Sequence, residues 1–168
     1  MHTIEEYYEE STKLTFSTVV ENLSKREDHN TFHIADIMFF MKWFEEQSKD
    51  IQNKTRKLIQ DDRIVFLNGG WVMNDEAVLS YKQSLLQLRF GLDVLNSTFG
   101  KRATIGWQSD SFGHSAMMVS NLYKLGYDFI IGSRISKDFK NKLKYFHGYQ
   151  FFWEGHQVSK DKSDSNVL

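Results

Sequence analysis

Six histidines, 22 acidic residues and no cysteine are the groups from which this 168-residue chain can build a reactive site. Without cysteine there is neither a disulfide framework nor a thiolate metal site. The histidines, at positions 2, 29, 33, 114, 147 and 156, form no His-x-His or His-Glu-x-x-His pairing of the kind that gathers zinc ligands. That leaves the carboxylates, and two of them fall at the ends of apolar runs. Asp110 follows Ala103 to Trp107, and Asp36 lies at the end of Thr31 to Ile37. A carboxylate just past the carboxyl end of a buried strand sits where α/β sheets collect ligands, and it can act there as nucleophile, proton-transfer group or metal ligand. The same position also suits an Asp that only shapes a turn or caps a helix, and the residue types alone leave the two open.

The surrounding pattern predicts how these acids are held. Ala103 to Trp107 reads as a buried strand. Ser115 is placed to cap a helix through Met118, Leu122 and Leu125, which Gly126 ends in a left-handed conformation. Earlier in the chain, residues 4–24 predict a helix with acids in its first turns, and Thr31 to Ile37 a strand. Met38 to Gln60 predicts one amphipathic helix, and Arg63 to Leu67 a strand. The Gly69-Gly70-Trp71 turn after it marks either close passage of backbone to a ligand or a tight turn. It lacks the Gly-Lys-Ser/Thr of a phosphate loop, and Trp71 reads as a packed aromatic. Asn74 is the expected cap of a helix through Tyr81, Leu88 and Leu95. Strands are expected at Tyr127 to Ile131 and Tyr149 to Trp153, with Arg134 in the loop between them. Strands alternating with helices in this rhythm predict an α/β fold with a mainly parallel sheet and flanking helices. One partial domain over 1–158 and a polar, mobile tail over 159–168 complete the expectation.

Composition excludes several other roles. A net charge of −1 gives no basic stripe for phosphate binding, so no nucleic-acid partner is expected. No apolar run approaches the roughly 20 residues of a membrane-spanning helix, and the start is not a secretion signal. Three glycosylation sequons, at Asn22, Asn53 and Asn96, point weakly toward a secretory environment.

Trp107-Gln-Ser-Asp-Ser-Phe-Gly-His-Ser115 resembles the Asp-Pro-Phe-Gly-His-Ser nucleophile motif of the family 38 glycoside hydrolases, the retaining α-mannosidases of lysosome and Golgi, with Ser111 in place of the usual proline. Ordered blocks along most of the chain carry the same resemblance. His2 to Tyr8 is similar to the segment after the family's opening His-x-Asp-x-Gly-Trp motif. Phe39-Phe-Met-Lys-Trp-Phe-Glu-Glu-Gln47 is similar to its Phe-Phe-Ser-Arg-Trp-Trp block, and Asn68-Gly-Gly-Trp-Val-Met-Asn-Asp-Glu-Ala77 to a further signature. Gly132-Ser-Arg134 resembles a loop whose arginine lines the sugar site.

The resemblance implies part of a distorted seven-stranded β/α barrel-like catalytic domain. It implies that Asp110 is the nucleophile and also ligates a catalytic zinc, and that Phe112 and Arg134 bind substrate. Asp36 stands where the family has Glu and is assigned a structural role. His114 is expected to be a buried, hydrogen-bonded imidazole rather than a metal ligand. The opening zinc ligands, the acid/base Asp and the last zinc His are expected outside Met1 to Leu168. Retaining glycosidases need two carboxyl groups about 5–5.5 Å apart, and the chain is expected to supply one. The expected function is therefore hydrolysis of terminal α-mannosyl residues of glycans in the secretory lumen, lysosome before Golgi, with this segment inactive alone. The alternative is a non-catalytic carbohydrate-binding or interaction module of the same fold. Bare apolar faces mark the first and polar edges the second.

Overall fold

A computed structural model of the chain describes residues 3–26, 29–154 and 166–167. The first helical stretch opens with a capping box, in which Thr3 and Glu6 satisfy each other's backbone N–H groups. It runs as α1 (Ile4–Tyr7), a π-turn at Tyr8–Thr12, and α2 (Lys13–Lys25). β1 (Phe32–Ile34) follows and pairs in parallel with β2 (Ile64–Phe66), in register from Phe32 with Ile64 to Ile34 with Phe66.

Between these strands the expected single helix is two, α3 (Ile37–Glu46) and α4 (Lys49–Gln60). Gln47 turns extended and Ser48 caps the second helix by accepting from Ile51 N. A Ser able to cap outweighs the continuous apolar periodicity across it, because four N–H groups need acceptors at any new helix start. Ile37 belongs to α3 and not to the strand before it.

α5 (Tyr81–Phe99) begins six residues later than Asn74 as cap would place it. Ser80 and Gln83 form its capping box. Asn74 is buried instead, donating to Ser84 Oγ at 2.5 Å and accepting from Gln87 Nε2 at 2.6 Å. β3 (Ile105–Gln108), α6 (Ala116–Lys124) and β4 (Phe129–Gly132) follow, β3 and β4 being parallel. Ser115 caps α6 and Gly126 takes φ +79°, as the residue pattern predicts. α7 (Lys137–Tyr145), capped by Ser136, has no counterpart in the sequence-based expectation. Of the strand expected at Tyr149 to Trp153 only Trp153 is paired, in β5 (Trp153–Glu154), antiparallel to β6 (Asn166–Val167). The rest of the 159–168 tail lies outside the described residues.

The two parallel pairs are joined through Asn68, whose N–H donates to Ile105 O at 2.6 Å and whose side-chain oxygen accepts from Gln108 Nε2 at 3.0 Å. The mainly parallel α/β expectation therefore holds in its coarse form, while the described strands do not close a barrel. Beneath them Phe16, Phe40, Trp43, Phe44, Phe66 and Phe99 pack ring against ring, which fixes the helices to β1 and β2.

Candidate active site

The loops after β1, β2 and β3 converge. Gly70 O and Trp71 O accept from Ile37 N and Met38 N, so the turn after β2 caps the helix that follows β1. The same turn lies flat on α5: a Cβ at Gly91 would come within 2.3 Å of Gly69 O and 2.5 Å of Trp71 N. Only a glycine at 91 permits that approach, and within the turn a Cβ at Gly69 would lie 2.7 Å from the Ala103 Cβ and one at Gly70 2.7 Å from Gln87 Oε1, so the glycine pair serves close packing. The next residues reach the loop after β3. Asp110 N approaches Met73 Sδ at 3.3 Å, Glu76 N donates to Ser111 O at 2.9 Å, and Ser115 N donates to Glu76 Oε2 at 3.1 Å.

Asp110 stands two residues past β3 with its carboxylate exposed. Its loop is folded tightly. Ser111 is fully buried and donates to Gly113 O at 2.7 Å, a closure made by a hydroxyl where the resembling motif has a proline ring. Phe112 is forced to φ +55°, an uncommon region for a bulky side chain, and its ring is 63% exposed. Strain of this kind persists only where the surroundings over-determine it. From the other side, Ser133 Oγ and Arg134 Nε donate to Ser109 O at 2.9 and 3.2 Å. The Arg134 guanidinium pairs with the Asp110 carboxylate and lies 5.4 Å above the Phe112 ring. The structure thus brings Asp110, Phe112 and Arg134 into one exposed cluster.

His114 differs from expectation. Burial pushes its imidazole below the ordinary histidine range, opposed by the Glu76 charge, but neither ring nitrogen has a hydrogen-bond partner among the described residues. The ring is wedged under Gly132, where a Cβ would lie 3.0 Å from Cε1, and meets Trp153 edge-on at 6.4 Å. Asp36 caps α3 by position but not by side chain, because Gly70 and Trp71 carbonyls take those N–H groups. Its Oδ1 is buried without a partner among the described residues, and burial pushes the carboxyl up to about 6.

Among the described residues no group of three or more His, Asp or Glu side chains gathers where a metal ion could be held. Asp110 is itself committed to Arg134. These residues do not by themselves fit a catalytic zinc, which takes three protein ligands. Met73, Ser133 and the loop contacts of Glu76 carry no signal in the sequence; Asn74 to Glu76 look there like a helix start, and only the hydrogen bonds of Asn68 to β3, which bring the two loops together, reveal them as loop contacts.

The family model for the glycosyl hydrolases family 38 N-terminal domain matches residues 1–163. The chain is 36% identical to alpha-mannosidase F of Dictyostelium discoideum over 154 residues, 91% of this chain and 16% of that protein. It is 38% identical to the lysosomal alpha-mannosidase of Cavia porcellus over 114 residues, 67% of this chain and 11% of that protein. The chain thus spans a small part of the length of these curated relatives. Among solved structures, an alpha-mannosidase from Enterococcus faecalis V583 shares the fold with a TM-score of 0.65 at 12% identity, covering 75% of this chain and 14% of that one. By these matches the chain belongs to family 38 of the glycosyl hydrolases and corresponds to part of that family's N-terminal domain.

Proposed function

We propose that this chain supplies the nucleophile side of a retaining α-mannosidase site, with Asp110 as the attacking carboxylate. The observation that carries this is the exposed Asp110 carboxylate at the carboxyl end of β3, in a loop held from both sides and flanked by Arg134 and Phe112. An Asp that merely shaped a turn would spend its oxygens on nearby backbone N–H groups. Here Asp110 Oδ1 meets a guanidinium and the carboxylate stays open to solvent.

In the proposed reaction an Asp110 oxygen bonds to the anomeric carbon as the glycosidic C–O bond breaks, and the leaving oxygen takes a proton from a second carboxylic acid. Water then cleaves the sugar ester, returning the proton to that acid and releasing mannose with its configuration retained. Arg134 orients the carboxylate and, with the Phe112 ring, offers the mannosyl unit a charged donor and an apolar surface. Glu76, the acid bonded to this loop, has its carboxylate turned to Ser115 N–H. As the family resemblance implies, we assign the second acid to a residue outside this chain, and expect the 168 residues alone to be inactive. Mannose-containing glycans are the proposed substrates, and the name of the lysosomal relative supports a lumenal, lysosomal setting.

The exposed face of β4 supports a piece of a catalytic domain over a self-contained binding module. Phe129 and Ile131 are 51% and 46% exposed on a parallel strand, an element normally covered on both faces. The test is to complete the chain with the flanking segments of alpha-mannosidase F and assay an aryl α-mannoside. Hydrolysis that falls by several orders of magnitude on Asp110→Asn supports the assignment, and near-normal turnover by that variant refutes it.

A further inference from the structure

The helix that follows the Asp110 loop is capped in an unusual way. In a complete capping box the cap hydroxyl accepts from the N–H three residues on, and a Glu or Gln at that third position accepts from the cap's own N–H. Thr3 with Glu6 and Ser80 with Gln83 both form such boxes here. At α6 only half is local. Ser115 Oγ accepts from Met118 N at 3.0 Å, but Met118 has no oxygen to return. The missing acceptor comes from a residue 39 positions earlier, Glu76 Oε2, at 3.1 Å from Ser115 N. The same residue donates its own N–H to Ser111 O at 2.9 Å. Glu76 therefore grips both ends of the Ser111–Ser115 turn, immediately after Asp110.

We propose that Glu76 is a positioning residue for the Asp110 carboxylate, completing the capping box of α6 from the loop after β2 and so fixing the loop that presents the nucleophile. This rests on the assignment of Asp110 above. The loop is pinned to the sheet on its other side by Ser133 and Arg134 acting on Ser109 O. Without the Glu76 carboxylate the segment after Asp110 keeps the backbone bond from Glu76 N to Ser111 O, the Ser111 closure on Gly113 and the Ser115 cap, but Ser115 N–H loses its side-chain acceptor and the far end of the turn its tie to the loop after β2. The strained φ of Phe112 then has a route to relax, carrying Asp110 with it. A carboxamide in place of the acid retains an acceptor oxygen, so the role belongs to hydrogen-bond geometry and survives Glu76→Gln.

Two measurements test it. In the chain itself, Glu76→Ala is expected to speed amide exchange at Ser115 and across the 110–113 turn about fivefold to tenfold, with α2 and α5 unchanged and Glu76→Gln close to the parent. Unchanged exchange at the turn in Glu76→Ala overturns the proposal. In the chain completed with alpha-mannosidase F segments, Glu76→Ala is expected to lower kcat per folded molecule about tenfold to a hundredfold with KM within about twofold, and Glu76→Gln to recover most of it. A parent-like kcat in Glu76→Ala, where Asp110→Asn is inactive, overturns the positioning role and leaves Asp110's role standing. Full activity in Asp110→Asn instead removes the assignment of Asp110 on which it rests.

Discussion

Asp110, Phe112 and Arg134 form a cluster in which each residue answers a need of the others. Arg134 gives the carboxylate a partner, and the Phe112 ring, pushed outward by its left-handed backbone, lies beneath the guanidinium. The ion pair is half exposed on both sides, so it holds geometry more than it stabilises the fold. Arg134→Ala should therefore change unfolding free energy by less than about 1 kcal/mol, while lowering kcat/KM of the completed enzyme by about tenfold or more. Urea titration and steady-state kinetics separate the two effects. Asp36 makes the opposite case, a carboxylate whose burial costs stability. Its folded value of about 6 lies above the ordinary 3.8, so the folded state favours the protonated form. Its contribution is most favourable below 3.8 and is lost as pH rises through about 6. At about 1.4 kcal/mol for each tenfold change in proton affinity, Asp36→Asn should gain about 2 kcal/mol relative to the parent on going from pH 4 to pH 7. Denaturant midpoints at the two pH values check this, and equal differences at both would show that Asp36 is ionised in the fold.

Helices and strands place these residues through contacts that sequence periodicity only partly reveals. Gly91 lets the Gly69–Trp71 turn lie on α5, and that turn in turn caps α3. Gly91→Ala, with its new Cβ 2.3 Å from Gly69 O, should cost about 1–3 kcal/mol although alanine favours helices, which chemical denaturation will show. A gain in stability would mean the turn moves freely. The strand cores, the Ser115 cap, the Gly126 stop and the place of Asp110 past β3 were legible, because each depends on local pattern. The break at Ser48 and the late start of α5 were not: a Ser within an apolar repeat and an Asn before one look alike whether or not they cap. Asn74 became a buried hydrogen-bonding residue because Ser84 and Gln87 on α5 bring partners to it. In the site, Asp110, Phe112 and Arg134 followed from motif resemblance, while Glu76 and Met73 could be found only from the fold, since 39 and 37 residues separate them from their partners.

At the scale of the whole molecule, polar and apolar surfaces are unevenly finished. The aromatic core is buried, whereas Leu14 of α2 and Leu86 and Phe90 of α5 stay exposed, β4 leaves Phe129 and Ile131 open and the 145–152 stretch exposes Tyr145, Phe146, Tyr149 and Phe152. The chain alone should bind a hydrophobic-surface dye in its native state, and Phe129→Ser with Ile131→Ser should weaken that signal without lowering the melting temperature, because neither side chain is buried. A fall in melting temperature of several degrees would show instead that these residues pack within the chain. The chain belongs to family 38 and shares its fold with an alpha-mannosidase, and the proposed chemistry turns on a covalent bond between Asp110 and sugar. The most direct measurement is mass spectrometry of peptides from the alpha-mannosidase F-completed chain, quenched in acid during turnover of an activated aryl α-mannoside. The expected result is a hexose-bearing peptide with the modification on Asp110, absent in Asp110→Asn. Sugar attached to another carboxylate, or an active enzyme that never labels Asp110 under conditions that trap its ester, would contradict it.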